Sequence, residues 1–380
     1  MFLKNLYRSA AYYCGSLCAG ITVFFTFMTF LCYAQTYSWQ NPVNTGFPVI
    51  KGRYWQNELK QPFDRLPARA EALVRPELWK LSQYPAGEYI SFSTNASDIR
   101  IKYKAEGMYI PTNSTALLVT GLDLYLRDGN NKWYWTAGTI KLGDTIDVHF
   151  ENIPQKDTKR EYRLYLPTFR KISALLIGVS KNASFAFVKV NAQKPVVVYG
   201  TSILQGASAS RPGLMWSNIL GRKLNREVIN LGFSGNGQLE PALLDLINEI
   251  DAGVFVLDCL PNLHDRKKFS NAEVEKRLVN AVKTIRSVHP LTPIVLTEHA
   301  SGIPGVNIDS AFYNKYARVN QVLRTTFKKL NNSGSKHIYL LSADQIAFDC
   351  ESTIDGTHPT DIGMMKYANA YEKIIKQIIP

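Results

Sequence analysis

Cysteine is scarce in this chain. There are five in 380 residues, and Cys14, Cys18 and Cys32 fall within the first 34. Only Cys259 and Cys350 lie beyond, too few for a disulfide framework; they either pair with each other or act as small buried fillers. No His/Cys spacing reads as a zinc site. Acidic residues are also in deficit, at 31 Asp and Glu against 44 Lys and Arg, for a net charge of +13. Such a balance favours anionic partners. Yet no basic helix is long enough to track a groove and no nucleic-acid module is present, which excludes nucleic acid as the partner. The runs KDTKRE (156–161) and DRKK (265–268) read as solvated loops. A phosphate loop is missing too: GFSGNG (232–237) has the order G-x-x-G-x-G and no Walker lysine follows. Nothing in the sequence calls for a cofactor or a metal. Apolar residues are not lacking. The hydrophobic fraction is 46% and the aromatic fraction 12%, enough for real cores, and the length suggests two domains.

Charge is absent from Ala10 to Ala34, where ITVFFTFMTFLCYA is densely apolar. Lys4 and Arg8 precede this run, and Cys32 and Ala34 put small residues at −3 and −1 before Gln35. The pattern predicts an export signal over 1–34, a periplasmic or secreted protein, and no membrane contact after cleavage. The run is also long enough to span a bilayer, so a retained anchor is the alternative. Removal of Lys4 and Arg8 would lower the net charge from +13 to +11.

From 35 to 190 short alternating or aromatic-rich runs recur: EYISFST (88–94), DIRIKYKA (98–105), ALLVTGLDLYLRD (116–128), KWYWTAGTI (132–140), TIDVHFEN (145–152), REYRLYLP (160–167) and ALLIGVS (174–180). TNAS, PTNST, DGNN, LGD and KNAS punctuate them. No helical period of useful length appears. The expected fold is an antiparallel β-sandwich. Trp133, Tyr134 and Trp135 have the chemistry to stack on sugar, although alternate members facing a core is the simpler reading.

From 191 to 380 the texture changes. PVVVY, EVINL, GVFVLDC, PIVLTE and HIYLLS alternate with helical stretches. In one of these, Val274, Leu278, Ala281, Ile285 and Val288 recur on one face. Five strands alternating with helices predict a parallel sheet covered on both faces.

The ends of these strands carry unusual residues. VVVYG runs directly into Thr201 and Ser202. EVINL leads to Gly232, Gly235 and Gly237, and GVFVLDC leads to Asn262. DGTHPTDIG, after the fifth strand, supplies Asp355 and His358. In an open parallel sheet these loops share one edge. Each residue type has a place in acyl transfer. Serine is a weak nucleophile without a base, and His358 supplies one. Asp355, three residues earlier, can fix the imidazole tautomer. Backbone N–H groups of Ser202 and Gly235, and the Asn262 amide, can stabilise an oxyanion, with Gly232 the alternative to Gly235. His264, Glu298 and His299 also stand near strand ends, as pocket lining or as satisfied loop residues.

These blocks resemble the SGNH (GDSL-like) hydrolases. Gly200-Thr201-Ser202-Ile203 stands where Gly-Asp-Ser-Leu is usual, INLGFSGNG matches the glycine block, CLPN holds the place of Gly-x-Asn-Asp, and DGTHP matches the last block. GLDLY (121–125) matches the Gly-x-Asp-Leu-Tyr motif of a β-sandwich domain that precedes such hydrolases in exported bacterial esterases. The resemblance implies a flavodoxin-like catalytic domain and hydrolysis of carboxylic esters through Ser202, His358 and Asp355, with acetylated polysaccharides or oligosaccharides as the leading substrates. A lipid esterase or thioesterase on the same scaffold, or a glycan-binding protein without activity, are the alternatives. Asp123 and Tyr125 of GLDLY are expected to be structural within the sandwich. Thr201 in place of Asp, and Pro261 before Asn262, depart from the family pattern at the pocket wall.

Overall fold

The computed structural model describes residues 36–379 apart from 108–110, 142–144, 155–158, 190–192 and 302–308. The predicted export signal, with Cys14, Cys18 and Cys32, lies outside the described residues. Among the described residues no helix is long and apolar enough to cross a membrane. Residues 39–380 form one compact unit.

The first half is built from two antiparallel sheets. In one, the strands Lys171–Ser180, Ile99–Glu106, Thr145–Phe150 and Thr139–Lys141 lie side by side. In the other the order is Phe185–Phe187, Tyr89–Thr94, Arg160–Tyr165, Asp123–Arg127 and Trp133–Thr136, with Ile50–Lys51 paired to Tyr89–Thr94. Period-two alternation decides what faces in. Ile99, Ile101 and Tyr103 enter the core between the sheets, where they meet Phe92, Leu124, Tyr162 and Leu164, while Arg100, Lys102 and Lys104 do not. DGNN closes a hairpin, in which Asp128 Oδ1 accepts from the backbone N–H groups of Asn130 and Lys132.

The second half is a parallel sheet ordered Val228–Gly232, Val196–Gly200, Val254–Asp258, Ile294–Thr297, Ile338–Leu341. Counted along the chain that is 2-1-3-4-5, the flavodoxin-like order, whose switch point lies between 196–200 and 254–258. Both faces are apolar, as an all-parallel sheet requires. Val197, Tyr199, Phe255 and Leu257 face helices Pro241–Ile247 and Asn271–Val288. Val196, Val198, Val254 and Val256 face helices Trp216–Leu224 and Asp361–Ile378. Val274, Leu278, Ala281 and Ile285 are buried as the spacing predicts, but Val288, the last helical residue, is exposed.

Three short elements before residue 190 depart from the all-β expectation: a 3-10 turn at Ala68–Ala72 and helices at Pro76–Ser82 and Ala116–Thr120. They are too short to show a period, and tertiary burial rather than propensity holds them. Trp55, Leu66, Ala70, Leu78 and Trp79 lie in one hydrophobic layer of the parallel sheet. Leu118 and Val119 lie in the other. Arg65, fully buried, donates to the carbonyls of Asn230 and Gly232 at 3.0 and 2.9 Å, and so braces the strand end that leads into the glycine block.

Candidate active site

The strand 196–200 stops at Gly200 because the chain must turn there. A Cβ at 200 would stand 3.0 Å from the Asp258 carbonyl and from the Leu204 side chain. Thr201 then caps the short helix Ser202–Gln205, its hydroxyl accepting from Ile203 N–H at 3.3 Å. Gly206, at φ 103°, ends the helix in the left-handed region. Ser202 is therefore the first helical residue, held at the carboxyl edge of the sheet beside its switch point, and only 7% exposed.

DGTHP reaches the same point from the fifth strand. Ser202 Oγ lies 2.8 Å from His358 Nε2. His358 Nδ1 lies 2.7 Å from Asp355 Oδ2. The other carboxylate oxygen accepts from the backbone N–H groups of Thr357 at 3.0 Å and His358 at 2.7 Å. Burial alone would raise the Asp355 carboxyl. Hydrogen bonds from the His358 ring and backbone, the His358 charge and the Thr357 N–H outweigh that and hold it well below the usual carboxylate range. An ionised acid is thus fixed behind a base that faces a serine.

The three glycines of GFSGNG differ in what they permit. Gly232 N–H is committed to Asn230 Oδ1 at 3.0 Å, and a Cβ there would stand 2.3 Å from Gln205 N. Gly237 approaches the Gly200 carbonyl as closely, and its N–H donates to Asn262 Oδ1 at 3.0 Å. That bond fixes the Asn262 amide with its oxygen used, leaving the NH2 group without a protein acceptor among the described residues. Gly235 adopts φ +70° with open space around its Cβ position, and its N–H has no protein partner among the described residues.

The remaining candidates separate clearly. Glu298 is buried in an ion pair with Arg324, at 2.5 and 2.9 Å, and accepts from Ala343 N–H, which makes it a brace between helices. His299 is buried against Tyr316, 4.1 Å between ring centroids. Burial, with the charge of His358 second, pushes its imidazole down to about 3. His264 lies 2.6 Å from the Pro261 carbonyl through Nδ1. Cys259 is buried and Cys350 exposed, and both are free thiols. Asp98, His149 and Glu151 come close enough to share an ion, but the two nitrogens of His149 already face these carboxylates at 2.5 and 3.1 Å.

Asp123 and Tyr125 do more than hold the sandwich together. Asp123 Oδ2 accepts from Gly213 N–H at 2.6 Å and Arg211 at 2.9 Å, and Oδ1 accepts from Trp135 Nε1–H at 3.0 Å. Arg211 also donates to Tyr125 OH. GLDLY thus grips the loop that follows the Ser202 helix. Trp133 and Trp135 carry the guanidinium groups of Arg163 and Arg211 on their rings, at 4.4 and 4.3 Å, so these faces are already covered. Sequence reasoning missed Asn113, whose Nδ2 donates to Asp355 Oδ2 at 3.2 Å. Its run, PTNST, carries only a turn signal.

Both halves of the chain match known families. Residues 193–376 match the GDSL-like lipase/acylhydrolase family, and 37–185 match the N-terminal domain of SGNH-hydrolase-type esterases that is named for GxDLY. A Bacteroides ovatus protein described as a GDSL-like lipase is 32% identical, over 90% of this chain and 98% of that one, with a TM-score of 0.81. The chain belongs to the GDSL-like lipase/acylhydrolase family. As a GDSL-like protein it is an ester hydrolase. Two further structures share the GDSL fold at low identity. A salicylyl-acyltransferase from a tetracycline biosynthetic pathway is 19% identical over 90% of this chain and 98% of that one, at a TM-score of 0.71. A family two carbohydrate esterase from Cellvibrio japonicus is 15% identical over 77% and 89%, at 0.53. No curated protein matches the chain.

Proposed function

We infer that Ser202, His358 and Asp355 form the catalytic triad of a serine esterase that removes acetyl groups from polysaccharides or oligosaccharides. The observation that carries the reading is the unbroken line of contacts at 2.8 and 2.7 Å from Ser202 Oγ through His358 to Asp355. Ser202 Oγ attacks the ester carbonyl while His358 Nε2 takes its proton. Ser202 N–H, Gly235 N–H and the Asn262 amide donate to the oxyanion. The imidazolium returns the proton to the leaving alcohol. His358 then activates a water, which releases the acid and regenerates the serine.

The carbohydrate assignment rests on three supports. A groove of about 550 Å³, reaching Asn113 on the flank of Asp355, is lined by the hydroxyls of Thr112, Ser114 and Ser208, the Glu351 carboxylate and the side chains of Ile354 and Ile362, a mixed surface that offers a sugar both hydrogen-bonding partners and apolar contact. Asp355 is 40% exposed, so the triad edge is open to a bulky leaving group. The fold is shared with family two carbohydrate esterases, one of which was solved with cellohexaose. Acetate release from acetylated polysaccharides, by wild type and by variants, tests the proposal in the presence of a chelator. Ser202→Ala should lower kcat by about three orders of magnitude or more. Asn262→Ala should lower it by about 10²–10³ with KM little changed. Equal activity in wild type and Ser202→Ala overturns the triad. Preference for long-chain acyl esters overturns the acetyl-carbohydrate assignment.

A further inference from the structure

The triad acid receives one hydrogen bond from the other half of the molecule. Asn113 and Asp355 are 242 positions apart. Asp355 Oδ1 has two backbone donors, Thr357 and His358. Oδ2 has the His358 ring on one side and Asn113 Nδ2 on the other. Among the described residues, the carboxylate's other partners all belong to its own loop, the 355–358 turn, which Ser301 and Tyr316 meet at the Gly356 carbonyl and the Thr357 hydroxyl. Through Asn113 the carboxylate is tied to a second, independent anchor.

That anchor is well fixed. Ser114 Oγ accepts from Ser208 N–H at 3.3 Å, and Thr115 Oγ1 donates to the Ser210 carbonyl at 2.6 Å. Thr115 also caps the helix Ala116–Thr120 through Leu118 N–H. Leu118 and Val119 are buried in the same hydrophobic layer as Ile203 and Leu204 of the Ser202 helix. Nucleophile helix and Asn113 loop therefore share one frame, and Asn113 carries that frame to Asp355.

Resting on the triad reading above, we propose that Asn113 is a positioning residue, supplied by the sandwich half, that holds Asp355 in register with His358 and tunes how strongly Asp355 attracts the imidazole proton. The chemistry gives a sign. Asn113 donates to the oxygen that faces His358 Nδ1, so it drains negative charge from that oxygen and disfavours the imidazolium. A carboxylate at 113 does the reverse.

The other titratable groups near the triad are His299, with His264 and Lys315 around it, and Glu351 and Asp361 along the groove. None is on the 112–115 loop, and substitution at 113 leaves them in place. Both variants keep the Ser114 and Thr115 anchors.

The test pairs Asn113→Ala and Asn113→Asp with two readouts. The first is the pH profile of kcat/KM on an acetyl ester. The second is the NMR titration of the His358 ring, assigned with His358→Gln, which needs no turnover. Asn113→Ala should lower kcat about three- to tenfold with KM little changed, the size of one hydrogen bond to a partly exposed charged group. Asn113→Asp should move the His358 titration, and with it the acid limb of the profile, upward by about half a pH unit or more. An unchanged His358 titration in Asn113→Asp overturns the proposal, whatever the activity. A wild type without Ser202-dependent hydrolysis overturns the esterase reading, and a His358 shift in that same protein still supports the Asn113 contact.

Discussion

Asp258 offers a test of the electrostatics beneath the site. It ends the strand 254–258, pairs with Gly200 in the sheet, and is buried. Oδ2 accepts from Tyr371 OH at 3.1 Å, while Oδ1 has no partner among the described residues. Burial raises its carboxyl from 3.8 to about 7, with the Tyr371 hydrogen bond opposing. The sign follows from linkage. Between about pH 4 and 7 the folded chain keeps a proton that the unfolded chain has lost, so this group's contribution to stability falls as pH rises through that window. Three units at 1.36 kcal/mol each give a loss on the order of 4 kcal/mol by pH 8. Asp258→Asn removes the titration and leaves only a pH-independent offset. Asp64 and Glu88, also raised by burial, to about 6 and about 8, act with the same sign in both proteins and cancel in the difference. Melting of wild type and Asp258→Asn at pH 4.5, 6 and 8 is the assay. At roughly 2 °C per kcal/mol for a chain of this size, and with about 2.5 of those units lying between pH 4.5 and 7, the variant should gain roughly 7 °C on wild type from the lowest pH to the highest. A difference in Tm that stays constant with pH would refute the reasoning.

Two further outcomes are expected. Asp123→Ala strips acceptors from Gly213, Arg211 and Trp135 together and should cost about 3 kcal/mol in chemical denaturation, as broken buried ion pairs do; a change below about 0.5 kcal/mol would mean the grip on the 211–213 loop is idle. Gly232→Ala drives a Cβ into Gln205 N at 2.3 Å and should cost about 3 kcal/mol while displacing Ser202, whereas Gly235→Ala, strained only by its positive φ, should cost about 1 kcal/mol; thermal melts showing the reverse order would sink the distinction between the two glycines.

The strands were legible because they obey simple periods. IRIKYK alternates, and Ile99–Glu106 is a strand with its apolar side inward. PVVVY is apolar throughout, and Val196–Gly200 is buried on both faces. The meeting of Ser202, His358 and Asp355 was legible because loops at the carboxyl end of a parallel sheet share one edge. ALLVTGLDLYLRD misled in its first half: Ala116–Thr120 is helical because Thr115 caps it and Leu118 and Val119 are drawn into a neighbouring core. Pro76–Ser82 was hidden for the same reason, since seven residues carry less signal than the surface that buries Leu78 and Trp79. Asn113 was invisible in principle. Its partner stands 242 positions away, and a turn-forming asparagine has no mark of a long-range contact. The role of Asp123 was misjudged because a strand carboxylate does not announce which loop it will meet.

The apolar cover of the parallel sheet has a consequence for how the chain is made. Trp55, Leu66, Leu78 and Trp79 on one layer, and Leu118 and Val119 on the other, leave the ribosome before any strand of the sheet they cover. The lid is therefore synthesised ahead of the vessel. As 196–200 and its neighbours emerge, covering side chains are already at hand, and the growing sheet need not present a bare face to other nascent chains. A permuted gene that begins at 191 and appends 39–190 at the end would hold the same residues and contacts but reverse that order. Its half-made product would expose the uncovered layers for as long as the remaining residues take to translate, the interval in which aggregation competes with folding.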